Sequence, residues 1–112
     1  MRIWDLEPSR LCRQHLLGEH RELHAIWSIL TLDKRGYRRH PEVKRWEGKL
    51  AALYARHQDL AAEMERRGYR HRSLLDACLA TGCREQRDYV DTPEEQERLL
   101  AAKPCGCLHQ KI

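Results

Sequence analysis

Residues 8–32 read PSRLCRQHLLGEHRELHAIWSILTL, and the spacing of their apolar positions decides the fold class. Cys12, Leu16, Leu23, Ile26, Trp27 and Leu30 fall on one stripe at the three-and-four spacing of an amphipathic helix. The stripe predicts a helix from Pro8 or Ser9 to Leu32, with Pro8 in the first turn and Ser9 as cap. Gln14, Gly18, Arg21 and Ala25 lie opposite this core face, with Glu22 at the edge near His15 and Leu11. Glycine inside a helix costs about 1 kcal/mol relative to alanine. At Gly18 it removes bulk beside Gln14, Arg21 and Glu22, leaving room for a ligand or for the chain's own N-terminal segment.

Working outward, residues 41–67 place Val43, Trp46, Leu50, Leu53, His57, Leu60 and Met64 alternately three and four apart. This near-heptad seam predicts a second long helix from Pro41 to Arg67, packed antiparallel on the first and stopped by Gly68. His57 within the seam reads as a core or boundary histidine. A short third helix is expected over Ser73 to Ala80, capped by Ser73 and stopped by Gly82. Thr92, Pro93 and Glu95 give the start of a fourth, as N-cap, first-turn proline and capping-box glutamate, ending before Pro104. No alternating strand pattern is present. The expectation is therefore an all-α, compact three-to-four-helix domain. Its N-terminal segment is threaded between the two long helices, delivering Met1 to Glu22. The whole chain, 1–112, is expected to be one domain, with 104–112 a short cysteine-containing tail.

A chain of 112 residues is long enough to bury about two thirds of its unfolded surface around a single core. Mean hydropathy is low, at −0.81, and Phe is absent, but three Trp and four Tyr supply aromatic bulk. No apolar run is long enough for a membrane span, and no secretory leader is read. Five cysteines show no paired framework. Reduced thiols in a cytoplasm, alongside the nucleoid, are the expectation. The net charge of +4 is modest, but its distribution is uneven. Lys34, Arg35, Arg38, Arg39, Lys44 and Arg45 stand against Glu42 alone, a block that suits a polyanion such as nucleic acid. On charge alone the same block reads equally as a solvated loop.

The run Gln14-His15-Leu16-Leu17-Gly18-Glu19-His20-Arg21-Glu22-Leu23 resembles the phage-type pyrimidine-dimer DNA glycosylases, the ultraviolet-repair endonuclease V family. The resemblance starts at Met1-Arg2-Ile3 and needs no gap to Leu23. A second block, from Lys49-Leu50 through Asp59-Leu60-Ala61-Ala62-Glu63 to Arg66-Arg67-Gly68-Tyr69, follows the family's second helix. Arg87-Asp88-Tyr89 and the stretch from Arg98 to Pro104 are weaker echoes, and about two thirds of the chain is matched in all.

The resemblance implies a bifunctional glycosylase and abasic-site lyase whose nucleophile is the chain's terminal α-amine, a role that falls on Met1. An α-amine titrates near ~8 against ~10.4 for a lysine, so about a tenth is neutral and nucleophilic near pH 7. Glu22 matches the catalytic glutamate, which stabilises the cationic sugar and moves protons. Arg2 and Arg21 match phosphate-holding positions, and Gln14 a residue near the site. Lys34, Arg35, Arg38 and Arg39 add candidate phosphate contacts. No cofactor is implied, and the expected partner is double-stranded DNA bound by a monomer.

Three departures bear on the substrate. Arg2 disfavours removal of the initiator, so Met1 itself is expected to be the terminal residue. The loop between the long helices is shorter, and Ala25 or Ile26 stands where the family has a further arginine. Pro104-Cys105-Gly106-Cys107-Leu108-His109 replaces an aromatic-rich tail, which leaves abasic sites or another lesion open beside pyrimidine dimers. The alternative is a non-catalytic DNA-binding or interaction module on the same fold. A structural zinc on Cys105, Cys107 and His109 with Cys83 or Cys78 is a weaker alternative. His20 and His24, four apart, share a face and read as a solvated pair.

Overall fold

The computed structural model describes residues 1–70, 73–104 and 107. Among the described residues the elements are all helical: α1 (Arg13–Thr31), α2 (Pro41–Lys44), α3 (Leu50–Arg66) and α4 (Pro93–Ala101), with 3₁₀ turns at Pro8–Arg10 and Ala77–Leu79. None of these helices is long and apolar enough to cross a membrane. The all-α expectation holds, but several boundaries move.

The first helix starts at Arg13, not at Pro8. Pro8–Arg10 closes a single 3₁₀ turn, and Cys12, extended at ψ 169, becomes the N-cap in place of Ser9. Arg67 holds that turn by donating from one nitrogen to the carbonyls of Pro8, Ser9 and Leu11. Leu16, Leu23, Ile26 and Trp27 are buried as their spacing requires. Gly18 has no heavy atom within 4 Å of where a Cβ would stand, so the N-terminal segment does not pack there.

The second long helix is broken in two. Residues 45–49 leave the helical path, with Gly48 in the left-handed region at φ 71. The break lets 81–83 lie against the start of α3, where the first N–H groups of a helix have no intrahelical partner. Ala51 N–H donates to Thr81 O at 2.8 Å and Ala52 N–H to Cys83 O at 3.1 Å. Gly82, at φ 84, sits so close that a Cβ would stand 2.2 Å from the Gly48 carbonyl oxygen. The expected helix over Ser73 to Ala80 is reduced to the turn Ala77–Leu79, capped by Asp76 rather than Ser73. The fourth helix begins as read, with Thr92 Oγ1 accepting from Glu95 N–H.

α1 and α3 form the main packed pair, with Leu53, His57, Leu60 and Met64 of α3 buried. Residues 1–6 run through the middle of the molecule as an extended strap. Ile3, Trp4 and Leu6 are buried, so their backbone polar groups need partners. Side chains from all four helical regions supply them. Ile3 N–H donates to Glu42 at 2.9 Å, Trp4 N–H to Glu19 at 3.0 Å and Asp5 N–H to Gln96 at 2.7 Å. Arg45 donates to Ile3 O at 3.1 Å, and Arg56 to Leu6 O at 2.8 Å.

Candidate functional site

The strap is held by ion pairs that are themselves buried. Glu19 is 2% exposed and accepts Arg56 Nε at 2.6 Å and Nη2 at 3.0 Å. Burial pushes the Glu19 carboxyl above its usual range, while the Arg56 fork and the Trp4 N–H oppose the shift. Arg45 bonds Glu42 at 2.9 Å and both Asp5 oxygens, at 3.3 and 3.0 Å. Burial works against its charge, but Glu42 and Asp5 outweigh burial and hold the guanidinium more firmly protonated. Arg45 and Glu42 therefore belong to the core, and only the remainder of the basic block faces outward.

The strap runs antiparallel to α1. Trp4 meets the helix at Glu19, and Met1 reaches a cleft of about 480 Å³ lined with Ala25, Ser28 and Ile29. His24, Lys34, Gly36 and Tyr37 complete the cleft. Glu22 is half-buried on the same helix, one turn beyond Glu19 and one before Ala25. Seven residues separate Glu22 from Ile29, which places both on one line along α1. Glu22 does not itself line the Met1 cleft; it stands about two turns before Ile29 along α1.

The candidate basic residues divide. Lys34 shares the Met1 cleft, and Arg35, Arg38 and Arg39 line an adjoining groove of about 680 Å³ with Tyr37 and His40. Lys34, Arg35 and Arg39 are exposed, while Arg38 pairs with Glu47 at 3.5 Å and Asp33 at 3.9 Å. Arg21 is exposed on another cleft, with Leu17, His20, His24 and Ser73. Gln14 lies further along α1, beside His15, Lys103 and Pro104. Arg2 bonds Asp91 at 2.7 Å and lies over the Trp4 ring, its guanidinium 5.0 Å from the centroid.

Tyr37 is a residue that pattern reading passed over. It is 72% exposed, has φ 60, and borders both the Met1 cleft and the basic groove. An exposed aromatic ring beside a line of cations is the kind of surface on which a nucleic-acid base can stack. The flanking Arg35-Gly36-Tyr37-Arg38 is the sequence signal, an aromatic set among cations.

Among the described residues, two groups of cysteines and histidines come together, Cys12 with His15 and Cys107, and His20 with His24 and His57. Cys83 is exposed, with its thiol turned to the Glu85 carbonyl at 3.3 Å, and Cys78 is exposed as well. Cys105 and His109 lie outside the described residues. Cys107 is buried against Cys12 and His15. Burial, and to a lesser degree the charge of Lys103, lower the His15 imidazole from its usual 6.5, which favours the neutral ring. His20 and His24 are not a solvated pair, because both rings meet the buried His57.

The described residues thus bring Met1 to a cleft on α1 that Lys34 also lines, with Arg35, Arg38 and Arg39 on an adjoining groove and Glu22 elsewhere on the same helix. A family model for pyrimidine dimer DNA glycosylases matches residues 1–77, and the chain belongs to that family. It is thereby a DNA glycosylase by class, with DNA as its substrate. No curated protein and no solved structure matches the chain.

Proposed function

We propose that the protein removes damaged pyrimidines from duplex DNA and then cleaves the strand at the abasic site, through an imine on the Met1 α-amine. The observation that carries this reading is the family match over residues 1–77, supported by the placement of Met1 in an open cleft on α1, the helix that also bears Glu22. The neutral amine attacks C1′ of the lesion nucleotide. The C1′–N bond breaks, the base leaves with the bonding pair and takes up a proton, and the sugar ring opens to an imine. Glu22 stabilises the cationic sugar and accepts the C2′ proton. The resulting β-elimination breaks the C3′–O bond and releases the 3′ phosphate.

The supports differ from residue to residue. Lys34, Arg35 and Arg39 are exposed cations on the Met1 side of the molecule and suit phosphate clamping. Tyr37 suits stacking on a base taken out of the duplex. Arg21 and Gln14 lie along the solvent side of α1 and are assigned backbone contacts further from the cleft. Arg2, engaged by Asp91 and Trp4, acts by fixing the strap, with one edge left for a phosphate.

Borohydride trapping of the untagged protein on a duplex with an abasic site tests the reading, with Glu22→Gln and an N-terminally acetylated form alongside. The expected result is a covalent adduct mapped to Met1, lost on acetylation. Glu22→Gln is expected to bind DNA but to turn over at least ~100-fold more slowly. Binding without an adduct would establish a non-catalytic DNA-binding module instead. An adduct on an internal lysine would refute the role given to Met1.

A further inference from the structure

Where α1 begins, three ligand-type atoms face one another across a long stretch of sequence. His15 Nδ1 lies 3.2 Å from Cys12 Sγ and 3.2 Å from Cys107 Sγ, and all three atoms fall within 4.8 Å of one another. Both sulfurs accept backbone N–H groups. Cys12 N–H donates to Cys107 Sγ at 3.0 Å, and His15 N–H to Cys12 Sγ at 3.5 Å. This donor pattern suits sulfurs carrying negative charge at a helix N-terminus.

We propose that Cys12, His15 and Cys107 bind a transition-metal ion of the zinc type, which fastens Cys107 to the first turn of α1. Tetrahedral zinc, with Zn–S near 2.3 Å and Zn–N near 2.0–2.1 Å, spaces its ligand atoms about 3.6–3.8 Å apart. The two sulfur–nitrogen separations, 3.2 Å each, are a few tenths of an ångström shorter than that, and all three atoms stay within 4.8 Å of one another. Hydrogen bonding accounts for less, because a ring nitrogen offers one proton or one lone pair at a time and here faces two sulfurs. A cation shared by all three satisfies both contacts. Two thiolates and an imidazole form a soft donor set that selects zinc over magnesium or calcium. Binding releases the two thiol protons to solvent and leaves the fourth position of the tetrahedron for a further ligand or water. Cys107 lies beyond residues 1–77, the part of the chain that the family model matches.

The test is cobalt(II) substitution of the reduced full-length protein, with zinc content measured by mass spectrometry. The expected cobalt form shows sulfur-to-metal charge transfer in the near ultraviolet and tetrahedral d–d bands in the visible. In Cys12→Ser and in Cys107→Ser the charge-transfer intensity falls by about half or more, and zinc affinity falls at least ~10-fold. In Cys12→Ser the new hydroxyl still caps α1, so that variant keeps its far-ultraviolet dichroism and separates metal loss from unfolding. The proposal is overturned if wild-type protein with titratable thiols shows no charge-transfer band. It is equally overturned if the full band survives in both variants.

A separate observation points to a second, all-nitrogen site. His24 Nε2 lies 3.2 Å from His57 Nε2, and the candidate ligand atoms of His20, His24 and His57 lie within 4.8 Å of one another. His57 Nδ1 meets Gln58 Oε1 at 2.8 Å, an outer contact that orients the imidazole, while its Nε2 faces both His24 Nε2 and the Ser73 carbonyl, each at 3.2 Å. His20 and His24 border the open Arg21 cleft, so water or an exchangeable ligand reaches a fourth position from that side. Wild-type protein is then expected to hold about two zinc ions per chain. His20→Asn removes about one of them without changing the sulfur-to-cobalt band. Unchanged metal content in His20→Asn would refute this second site and leave the first standing.

Discussion

Replacing Arg45 by Met tests whether the N-terminal strap is held by the buried charge network. The guanidinium side chain is 5% exposed and donates to Glu42, to both oxygens of Asp5 and to the carbonyls of Ile3 and Asp88. Removing one member of a buried pair costs about 3–5 kcal/mol, because the remaining charge stays buried. The lower end applies. Asp5 keeps Gln96 Nε2 at 2.9 Å, and Glu42 keeps the Ile3 N–H. A loss of about 3 kcal/mol lowers Tm by roughly 12 °C for a domain of this size.

Urea unfolding followed by far-ultraviolet dichroism measures the loss, and native-state hydrogen exchange locates it. Protection at Ile3 and Trp4 should fall before protection in α1 and α3, since the strap opens first. Imine trapping at 25 °C should weaken in step with that opening. Arg45→Lys keeps the charge but not the fork, so its loss should be intermediate. A destabilisation of Arg45→Met below about 1 kcal/mol would refute the reasoning. So would exchange rates at Ile3 and Trp4 that match wild type.

Four further outcomes are expected. Arg35→Ala with Arg39→Ala should weaken duplex binding across sequences and reduce the slope of log affinity against log salt by roughly 2, one per lost phosphate contact, in a fluorescence-anisotropy titration. Tyr37→Ala should leave stability within about 0.5 kcal/mol of wild type, as for an exposed side chain. If the ring stacks on a base, that variant should lower single-turnover excision of a lesion while sparing cleavage at a preformed abasic site. Gly82→Ala should destabilise by about 2 kcal/mol or more, read from the urea midpoint, because the residue is left-handed and its Cβ would strike the Gly48 carbonyl.

The last outcome concerns acid. The Arg66 hydrogen bond, opposed by burial and supported by Arg67, holds the Glu63 carboxyl below its ordinary 4.5. A depressed carboxylate stabilises the fold above 4.5, and that contribution disappears as pH falls through the lower folded-state value. Glu63→Gln should therefore lose stability at pH 7 and approach wild type at pH 3. Urea curves at the two pH values check this.

The division between sequence and structure follows the reach of each physical signal. Helical periodicity is local, so residues 12–30 and 50–64 declared themselves through their apolar stripes, and Thr92-Pro93 marked the start of α4 through cap chemistry alone. The ungapped register from Met1 to Leu23 was equally legible, and it carried the family and with it the candidate roles of Met1 and Glu22. The break at Gly48 was not legible, because it exists to let residues from 81–83 cap α3 from over 30 positions away. Glu19, Glu42, Arg45, Arg56 and Gln96 gave no signal either. A polar side chain on a helix reads as surface until a buried backbone elsewhere needs its hydrogen bond. The same holds for the meeting of Cys12, His15 and Cys107, since over 90 positions separate Cys107 from the other two. Sequence alone determined the helices, the register and the chemistry available at the terminus. Tertiary structure decided where the strap lies, which cations remain outside and which thiols meet, because those depend on contacts that only the folded chain brings within bonding distance.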